Sequence, residues 1–259
     1  GRQLGRLELL AQQHDQDYQL DRLRLVNPDG VLSVDGKWKM SSGASETQVN
    51  VRLDLNNAGN ILARSGYPDS IKNGKGKLEG SFNWPGAPAS YGKDSLNGKI
   101  SLDTGKGQFL QIDPGIGKLL SILSLQALPK RITLDFEDVF SKGFEFDRIS
   151  GSADIKQGVI VTDNLKIEGS SAKVTMSGQM DMVNETQNLR VRIVPTVGNS
   201  VALISALVAT PVVGAGVYLA GKILNDPLGQ LVSFEYNVNG SWADPVVERA
   251  GQGKPPAGP

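Results

Sequence analysis

Hydrophobic and polar residues alternate along most of this 259-residue chain. In residues 48–55 (QVNVRLDL) every second side chain is valine or leucine, and the side chains between them are polar or charged. Because successive side chains of a β-strand point to opposite faces of a sheet, this period predicts a strand with one dry and one wet face. The same alternation predicts strands at residues 20–25, 131–137, 143–147, 164–168, 172–177, 179–183 and 188–194.

Turn-forming residues separate the predicted strands. Asn27-Pro28-Asp29-Gly30 is one example, and the pairs at 73–74, 97–98 and 157–158 each end in glycine. Glycine and asparagine adopt the positive φ angles that tight turns between antiparallel strands need. The sequence therefore predicts a mainly β fold, an elongated and curled antiparallel sheet whose dry face forms an open hydrophobic groove. Two short apolar helical segments are expected near its C-terminal end.

The more apolar of these helical segments is predicted at residues 199–224. No charged residue lies between Arg192 and Lys222. An apolar run of about 18 or more residues usually spans a membrane. Pro211 and the glycines that follow it interrupt the run, so a bent or re-entrant helical pair is favoured over one straight span.

The other helical segment is predicted at residues 113–128. It opens with Asp113 as a helix N-cap and Pro114 at the first helical position, and Pro129 ends it. The apolar side chains of the two segments include Ile116, Leu119, Leu120, Leu123, Val201, Leu203, Ile204, Leu207, Val208, Val212, Val213, Val217 and Leu219.

Composition excludes several kinds of function. Lysine plus arginine and aspartate plus glutamate each number 27, so no net basic charge attracts nucleic acid. The chain has no cysteine and one histidine, His14, which lies in a polar stretch without a second imidazole. Disulfides and thiolate metal sites are therefore excluded, and neither a metal nor a cofactor is predicted.

Two patterns have the spacing of catalytic motifs, but a simpler explanation fits each. Residues 216–222 carry the glycine and lysine spacing of a phosphate-binding loop, yet isoleucine stands where serine or threonine would bind magnesium. Asp135 with Glu137, and Glu145 with Asp147, could form pairs of catalytic carboxylates. Each pair alternates with apolar residues, as the wet side of an amphipathic strand does. An enzyme is therefore the least supported class.

The strands and both helical segments are predicted to form one domain over residues 1–248. Residues 249–259 are rich in proline and glycine and are predicted to be a disordered tail. The chain begins with glycine and shows neither a signal peptide nor an N-terminal membrane span. We therefore expect it to be part of a longer polypeptide.

A set of segments in a fixed order identifies a related family. The longest is residues 107–129 (GQFLQIDPGIGKLLSILSLQALP), and the others are residues 80–88, 132–136, 144–151, 162–165 and 239–245. The set closely resembles the C-terminal region of the YhdP branch of the AsmA-like proteins. The resemblance covers most of the chain, from about Leu20 to Glu248.

This resemblance implies a function in the envelope of Gram-negative bacteria. Proteins of the family are anchored in the inner membrane by an N-terminal helix and cross the periplasm as a long β-groove. They are implicated in moving phospholipids towards the outer membrane, whose lipid balance and barrier depend on that supply. By this resemblance the chain is the distal end of such a bridge. Its expected partners are phospholipids, the outer membrane through the two helical segments, and the inner membrane through an anchor outside this chain.

An apolar groove would shield acyl chains from water without any catalytic residue, at about 0.8 kcal/mol for each CH₂ group. The alternative is a structural or adhesive β-scaffold of the envelope, with a filled core and no lipid cargo. The helical segments could also fold back and plug the end of the groove. Alternation alone predicts the lining of this groove, which is Val49, Val51, Leu53, Leu55, Ile132, Leu134, Phe136, Leu165, Ile167, Val174, Met176, Leu189, Val191 and Ile193.

Overall fold

The computed structural model describes residues 5–40, 45–110, 144–195 and 233–250. Within these ranges it confirms a mainly β fold with fifteen strands and one α-helix, α1 (Ala58–Ser65). Two single 3₁₀ turns lie at Pro88–Ser90 and Lys93–Ser95. The strands are β1 (Arg6–His14), β2 (Asp17–Asn27), β3 (Gly30–Lys39), β4 (Glu46–Leu55), β5 (Ile71–Asn73), β6 (Gly76–Pro85), β7 (Asn97–Thr104), β8 (Gly107–Phe109), β9 (Phe144–Phe146), β10 (Arg148–Lys156), β11 (Val159–Glu168), β12 (Ala172–Asp181), β13 (Thr186–Pro195), β14 (Phe234–Ser241) and β15 (Pro245–Arg249).

Twelve of these strands form one antiparallel sheet in the order β1-β2-β3-β4-β6-β7-β10-β11-β12-β13-β14-β15. The spatial order follows the chain order, so the sheet is a meander of hairpins with no crossing connections. In the part of the chain that the structure describes, β1 and β15 are the two edges and the sheet is not closed on itself. The predicted large antiparallel sheet is thus confirmed.

The pairing register gathers the apolar positions on one side of this sheet, here called the apolar face. Val51 of β4 lies opposite Val34 of β3 and Gly80 of β6, and Gly80 lies opposite Ile100 of β7. From β2 to β14 the paired positions in these rows hold no charged residue. Charged side chains such as Arg52 occupy the positions between them, on the polar face.

Strands β5, β8 and β9 form a second sheet of three short strands, here called the flap. Each one is the neighbour in sequence of a strand of the large sheet, namely β6, β7 and β10. The three junctions fall at residues 74–75, 105–106 and 147. The flap is therefore attached to the large sheet along one line across three adjacent strands.

Two clusters of buried side chains form the core. The larger one combines Phe109, Phe144 and Phe146 of the flap with apolar-face side chains of β10 to β14. The smaller one centres on Trp84, Leu96 and Ile155, near the opposite ends of the strands.

Helix α1 is fixed to the turn between β2 and β3. Its N-cap Asn57 accepts a hydrogen bond from the backbone N–H of Asn60, and Gly66 ends it in the left-handed region at φ 106°. The buried carboxylate of Asp29 accepts hydrogen bonds from Asn60 Nδ2 at 2.8 Å and Arg64 Nε at 2.7 Å. These charge-assisted contacts hold the helix against the end of the sheet.

The structure corrects two local predictions and adds one element that was not predicted. Residues 179–183 are not a separate strand, because β12 runs on to Asp181 and the residues after it turn into β13. The pair at 97–98 begins β7 and makes no turn. Helix α1 was not predicted, since its eight residues present no apolar stripe of useful length.

Other predicted elements lie partly or wholly outside the described residues. These are the strand at 131–137, the helical segments at 113–128 and 199–224, and most of the tail. At the start of the tail, Arg249 belongs to β15 and its guanidinium lies 5.1 Å from the ring centroid of Phe234. A cation placed in this way over an aromatic face is attracted to it.

The contact between Asp29 and helix α1 makes stability depend on pH. Hydrogen bonds from Asn60 and Arg64 hold the pKa of Asp29 below its ordinary value. A carboxyl with a lowered pKa stabilises the fold above its unfolded pKa of about 4 and loses that contribution as pH falls through the folded value. We therefore expect Asp29→Asn to lower the melting temperature at neutral pH. The difference from the parent should shrink below about pH 4.

Thermal unfolding followed by circular dichroism between neutral and acidic pH measures this effect. Asp35→Asn is the control, because Asp35 accepts from Asn50 on the exposed polar face and holds no helix. A loss of melting temperature that is equal at neutral and acidic pH would contradict the expected linkage.

Candidate functional site

The apolar face is exposed at one end of the sheet and buried at the other. Leu7 and Leu9 of β1 keep 60% and 64% of their surface exposed. Val34 and Val51, farther along the same face, are half-buried. Ile193, on β13, is 0% exposed. A large exposed apolar surface on a protein marks a site for an apolar partner.

The buried end is covered by the flap. Phe144 and Phe146 are each 3% exposed, and both belong to the cluster that includes the apolar face of β10 to β14. The rings of Phe109 and Phe146 lie 5.0 Å apart at their centroids. Aromatic rings therefore fill the space over β10 to β14, whereas β1 to β4 have no such cover among the described residues.

The predicted groove residues divide between these two ends. Val49, Val51 and Leu53 are half-buried, and Leu55, at the end of β4, is buried. Leu165 is half-buried against the larger cluster. Six predicted residues are buried in that cluster, and they are Ile167, Val174, Met176, Leu189, Val191 and Ile193.

The remaining predicted site residues lie outside the described ranges. Ile132, Leu134 and Phe136 fall between β8 and β9, as do the membrane-contact residues at 116–123. The membrane-contact residues at 201–219 fall between β13 and β14.

Alternation in the sequence predicted only part of the apolar face. Glycines interrupt the pattern in β3, β6 and β7 and hide it from sequence inspection. Gly80 leaves room for the Phe82 ring, because a Cβ at position 80 would come within 2.6 Å of it. The residues that share the face but were not predicted include Leu23, Leu25, Leu32, Val34, Leu78, Ile100 and Leu102.

One margin of the apolar face is lined by the three tryptophans of the chain. Trp38, Trp84 and Trp242 lie at the ends of β3, β6 and β14, next to the hairpin turns. Their indole N–H groups donate to Ser45 Oγ at 2.7 Å, to the Ala87 carbonyl at 3.0 Å and to the Thr186 carbonyl at 3.1 Å. Satisfied indoles can be buried without penalty, so this margin is a firm aromatic edge.

Helix α1 and the flap lie at the opposite margin. The undescribed stretches 111–143 and 196–232 also begin and end there, because they connect β8 to β9 and β13 to β14. Residues 196–232 therefore connect to the large sheet at this margin, and residues 111–143 connect to the flap that is attached there.

A cleft of about 920 Å³ lies across β3, β4, β6, β7 and β10, and most of its lining residues belong to the polar face. Its lining includes Asp35, Lys37, Lys99 and Asp154, and the last two form an ion pair at 3.4 Å. Charged walls of both signs are unsuited to hydrocarbon. The apolar face is therefore the candidate site for an apolar ligand.

The carboxylates and the single histidine of the described ranges form no metal-binding cluster. There, no three His, Cys, Asp or Glu side chains are placed to hold a metal ion. Glu145 and Asp147 are exposed, and Asp147 pairs with Lys106 at 3.5 Å, as expected for the wet side of a strand. No helix among the described residues is long and apolar enough to cross a membrane.

Comparisons with known proteins point to one family. The family model described as "YhdP protein" matches residues 1–247. The chain is 30% identical over 217 residues to a protein of Escherichia coli (strain K12) named "Intermembrane phospholipid transporter YhdP". That alignment covers 83% of this chain and 17% of the relative, so the chain spans less than a fifth of its length. No solved structure matches the chain.

The two ends of the apolar face should differ in their tolerance of charge. We expect Val191→Asp to lower the free energy of unfolding by about 4 kcal/mol or more, because the carboxylate would be buried without a partner. Val51→Asp should cost about 1 to 2 kcal/mol, since a half-buried carboxylate can still reach water.

Urea unfolding of both variants measures the difference, with Asn188→Asp on the polar face of β13 as the matched control. Equal losses for Val191→Asp and Val51→Asp would show that the two ends of the face are buried alike.

Proposed function

This chain belongs to the YhdP family, and we propose on that premise that its apolar face is one wall of an open groove that carries phospholipid acyl chains. The observation that carries the proposal is the run of uncharged rows on the apolar face from β2 to β14. In β1 to β4 this surface is exposed or half-buried over most of its length. Such a surface is costly in water unless a partner covers it.

The groove would act by solvation rather than by catalysis. A phospholipid that crosses water exposes two acyl chains, at about 0.8 kcal/mol for each CH₂ group. Aliphatic side chains such as Val34, Val51 and Leu53 remove that cost, while the headgroup stays in water. Because no charged side chain interrupts the rows, a lipid meets no fixed anchor and can slide along the sheet. Discrimination between headgroups should then be weak, and the chain is a lipid-binding module rather than an enzyme.

The wider setting follows from the family. The name of the Escherichia coli relative gives its activity as intermembrane phospholipid transport. We place this chain in the periplasmic envelope of a Gram-negative bacterium, as one domain over residues 1–248 of a longer protein anchored in the inner membrane. Transport towards the outer membrane would maintain its lipid balance and barrier.

Contact with the outer membrane is assigned to the apolar segments at residues 113–128 and 199–224. The support is their common origin, since the chain enters and leaves both stretches at the margin opposite the tryptophans. One membrane surface could therefore meet both segments together.

Native mass spectrometry with lipid extraction tests the groove, on the chain purified from a bacterial envelope in mild detergent. The variant is Val34→Asp with Val51→Asp, which places two charges on cross-strand partners of the apolar face. We expect phospholipid to accompany the parent and to be lost from this variant. The matched control, Ser33→Asp with Ser81→Asp, adds the same charges to the polar face and should retain lipid.

Circular dichroism confirms that each variant is folded before lipid is counted. A folded parent without bound phospholipid would favour the structural scaffold, for which the filled cluster under the flap is the supporting observation. Equal lipid in all three proteins would place the lipid elsewhere than on this face.

A further inference from the structure

We propose that the flap is a hinged lid over β10 to β14, which excludes lipid from this part of the groove when closed and admits it when open. The inference rests on the proposed function. It concerns only where lipid can go along the apolar face and what controls its passage.

The flap strands are continuations of the large sheet, as their register shows. Asn73 pairs with Gly107 in the flap, and Gly76 pairs with Thr104 just beyond the junction. Two residues separate Asn73 from Gly76, and two residues separate Thr104 from Gly107, so the register is the same on both sides of the junction. One antiparallel ladder therefore passes from the large sheet into the flap.

The facing of the side chains changes at the same junction. In the large sheet Ile149 lies on the apolar face, and its pair is Thr104. A straight strand would put residues 147 and 145 on that face too, because side chains alternate with a period of two. Instead Phe144 and Phe146 are buried and Glu145 is exposed. The strands therefore turn over at the junction and lay the opposite side of the ladder onto the apolar face.

Two glycines mark the line about which the flap turns. Gly74 adopts φ +85°, a left-handed conformation that favours glycine, and Gly105 occupies the matching place between β7 and β8. The backbone N–H of Gly74 donates to the Lys106 carbonyl at 3.1 Å, and that of Gly105 donates to the Lys75 carbonyl at 2.7 Å. These bonds lie on the line itself, so rotation about it need not break them.

The sheet side of the line is firmly held. Arg148 of β10 makes a two-point contact with Asp103 of β7, through its Nε at 2.9 Å and an Nη at 2.8 Å. Such bidentate pairs fix geometry better than single contacts do. The backbone N–H of Asp147 also donates to the Glu168 carbonyl at 2.7 Å. The base of the flap is thus a fixed support.

Beyond that line the flap contacts α1 through β5, where Gly59 lies against the Ile71 carbonyl, and it rests on the sheet through aromatic rings. Gly169, in the turn between β11 and β12, makes room for one of them, since a Cβ there would lie 2.7 Å from the Phe144 ring. Apolar contacts are non-directional, so acyl chains can replace the rings without leaving an unsatisfied polar group. When the flap lifts, hydrocarbon would take the place of phenylalanine over residues such as Tyr236 and Val191.

A reversible crosslink tests the lid in this chain, which has no cysteine of its own. Glu145 of the flap and Ser170, in the turn between β11 and β12, both line one small cavity. With Glu145→Cys and Ser170→Cys, a short bis-maleimide with a cleavable disulfide spacer can join the two positions. The control pair, Ser81→Cys with Lys99→Cys, joins cross-strand neighbours on the polar face and leaves the flap untouched.

Lipid access is read at two positions by photo-crosslinking. Benzoylphenylalanine replaces Tyr236, under the flap, or Phe82, on the uncovered part of the face, and vesicles supply headgroup-labelled phosphatidylethanolamine. We expect the flap crosslink to abolish labelling at position 236, cleavage of the spacer to restore it, and labelling at position 82 to persist throughout. The control crosslink should change neither position.

A wedge variant tests opening in the other direction. Gly169→Val places methyl groups where the Phe144 ring lies, so it should raise labelling at position 236. Ser170→Val, at the exposed neighbouring residue, should not. Circular dichroism and urea unfolding confirm that the wedge leaves the large sheet folded.

Three results would overturn the lid. Equal labelling of position 236 with and without the flap crosslink would show that lipid does not pass beneath the flap. Labelling at position 82 but never at position 236, even with the wedge, would show that the flap is a permanent part of the core. Labelling at neither position in any protein would remove the proposed lipid-binding function, and the lid with it.

Discussion

The pairing register of the twelve-stranded sheet is the constraint on which the rest of the structure depends. A shift of one residue in any hairpin would carry its apolar row to the polar face, because side chains alternate with a period of two. The sheet contains irregularities that threaten this order, including one between Ser150 and Asp154 where β10 meets β11. The register to β7 is unbroken over the same residues, so Ile149 and Ile155 stay on one face. Bulges are absorbed locally and the apolar face remains continuous.

Because the apolar face is continuous, one part of it is packed as core and another part is exposed. Under the flap the rows from β10 to β14 pack as an ordinary protein core, with Val174 and Ile193 at 0% exposure. Over β1 to β4 rows of the same chemistry are exposed or half-buried over most of their length, apart from the end where Ile61 of α1 lies against Gly30 and Leu55 is buried. An aliphatic row does not distinguish a phenylalanine ring from an acyl chain, because the hydrophobic effect depends on area rather than on direction. In the proposed lid, the position of the flap decides whether the stretch over β10 to β14 is core or lipid-binding surface.

Alternation alone located the elements in which it is clean, namely β2, β4, β9 and β11 to β13. In β3 and β6 it is broken, because Gly36 and Gly80 stand in apolar positions. The alternation of Phe144 with Phe146 was visible, yet the flap was not. The shift of phase between Phe146 and Ile149 has meaning only once β10 is known to pair with β7. The class of function came from the family resemblance, since an apolar row alone is equally typical of a filled core.

The two margins of the face differ in a way that fits a lid hinged on one side. At the tryptophan margin each indole N–H donates to a neighbouring turn, and short hairpins tie adjacent strands together. At the other margin the side-chain contacts of α1 converge on the carboxylate of Asp29, the backbone N–H of Ala58 donates to the Gly74 carbonyl at 2.7 Å, and the flap turns about Gly74 and Gly105. Directional hydrogen bonds therefore fix the tryptophan margin and the base of the flap, while beyond that base the flap is held over the sheet largely by apolar contact. A cover of that kind can exchange with hydrocarbon at small cost, which is the property that a gate for lipid requires.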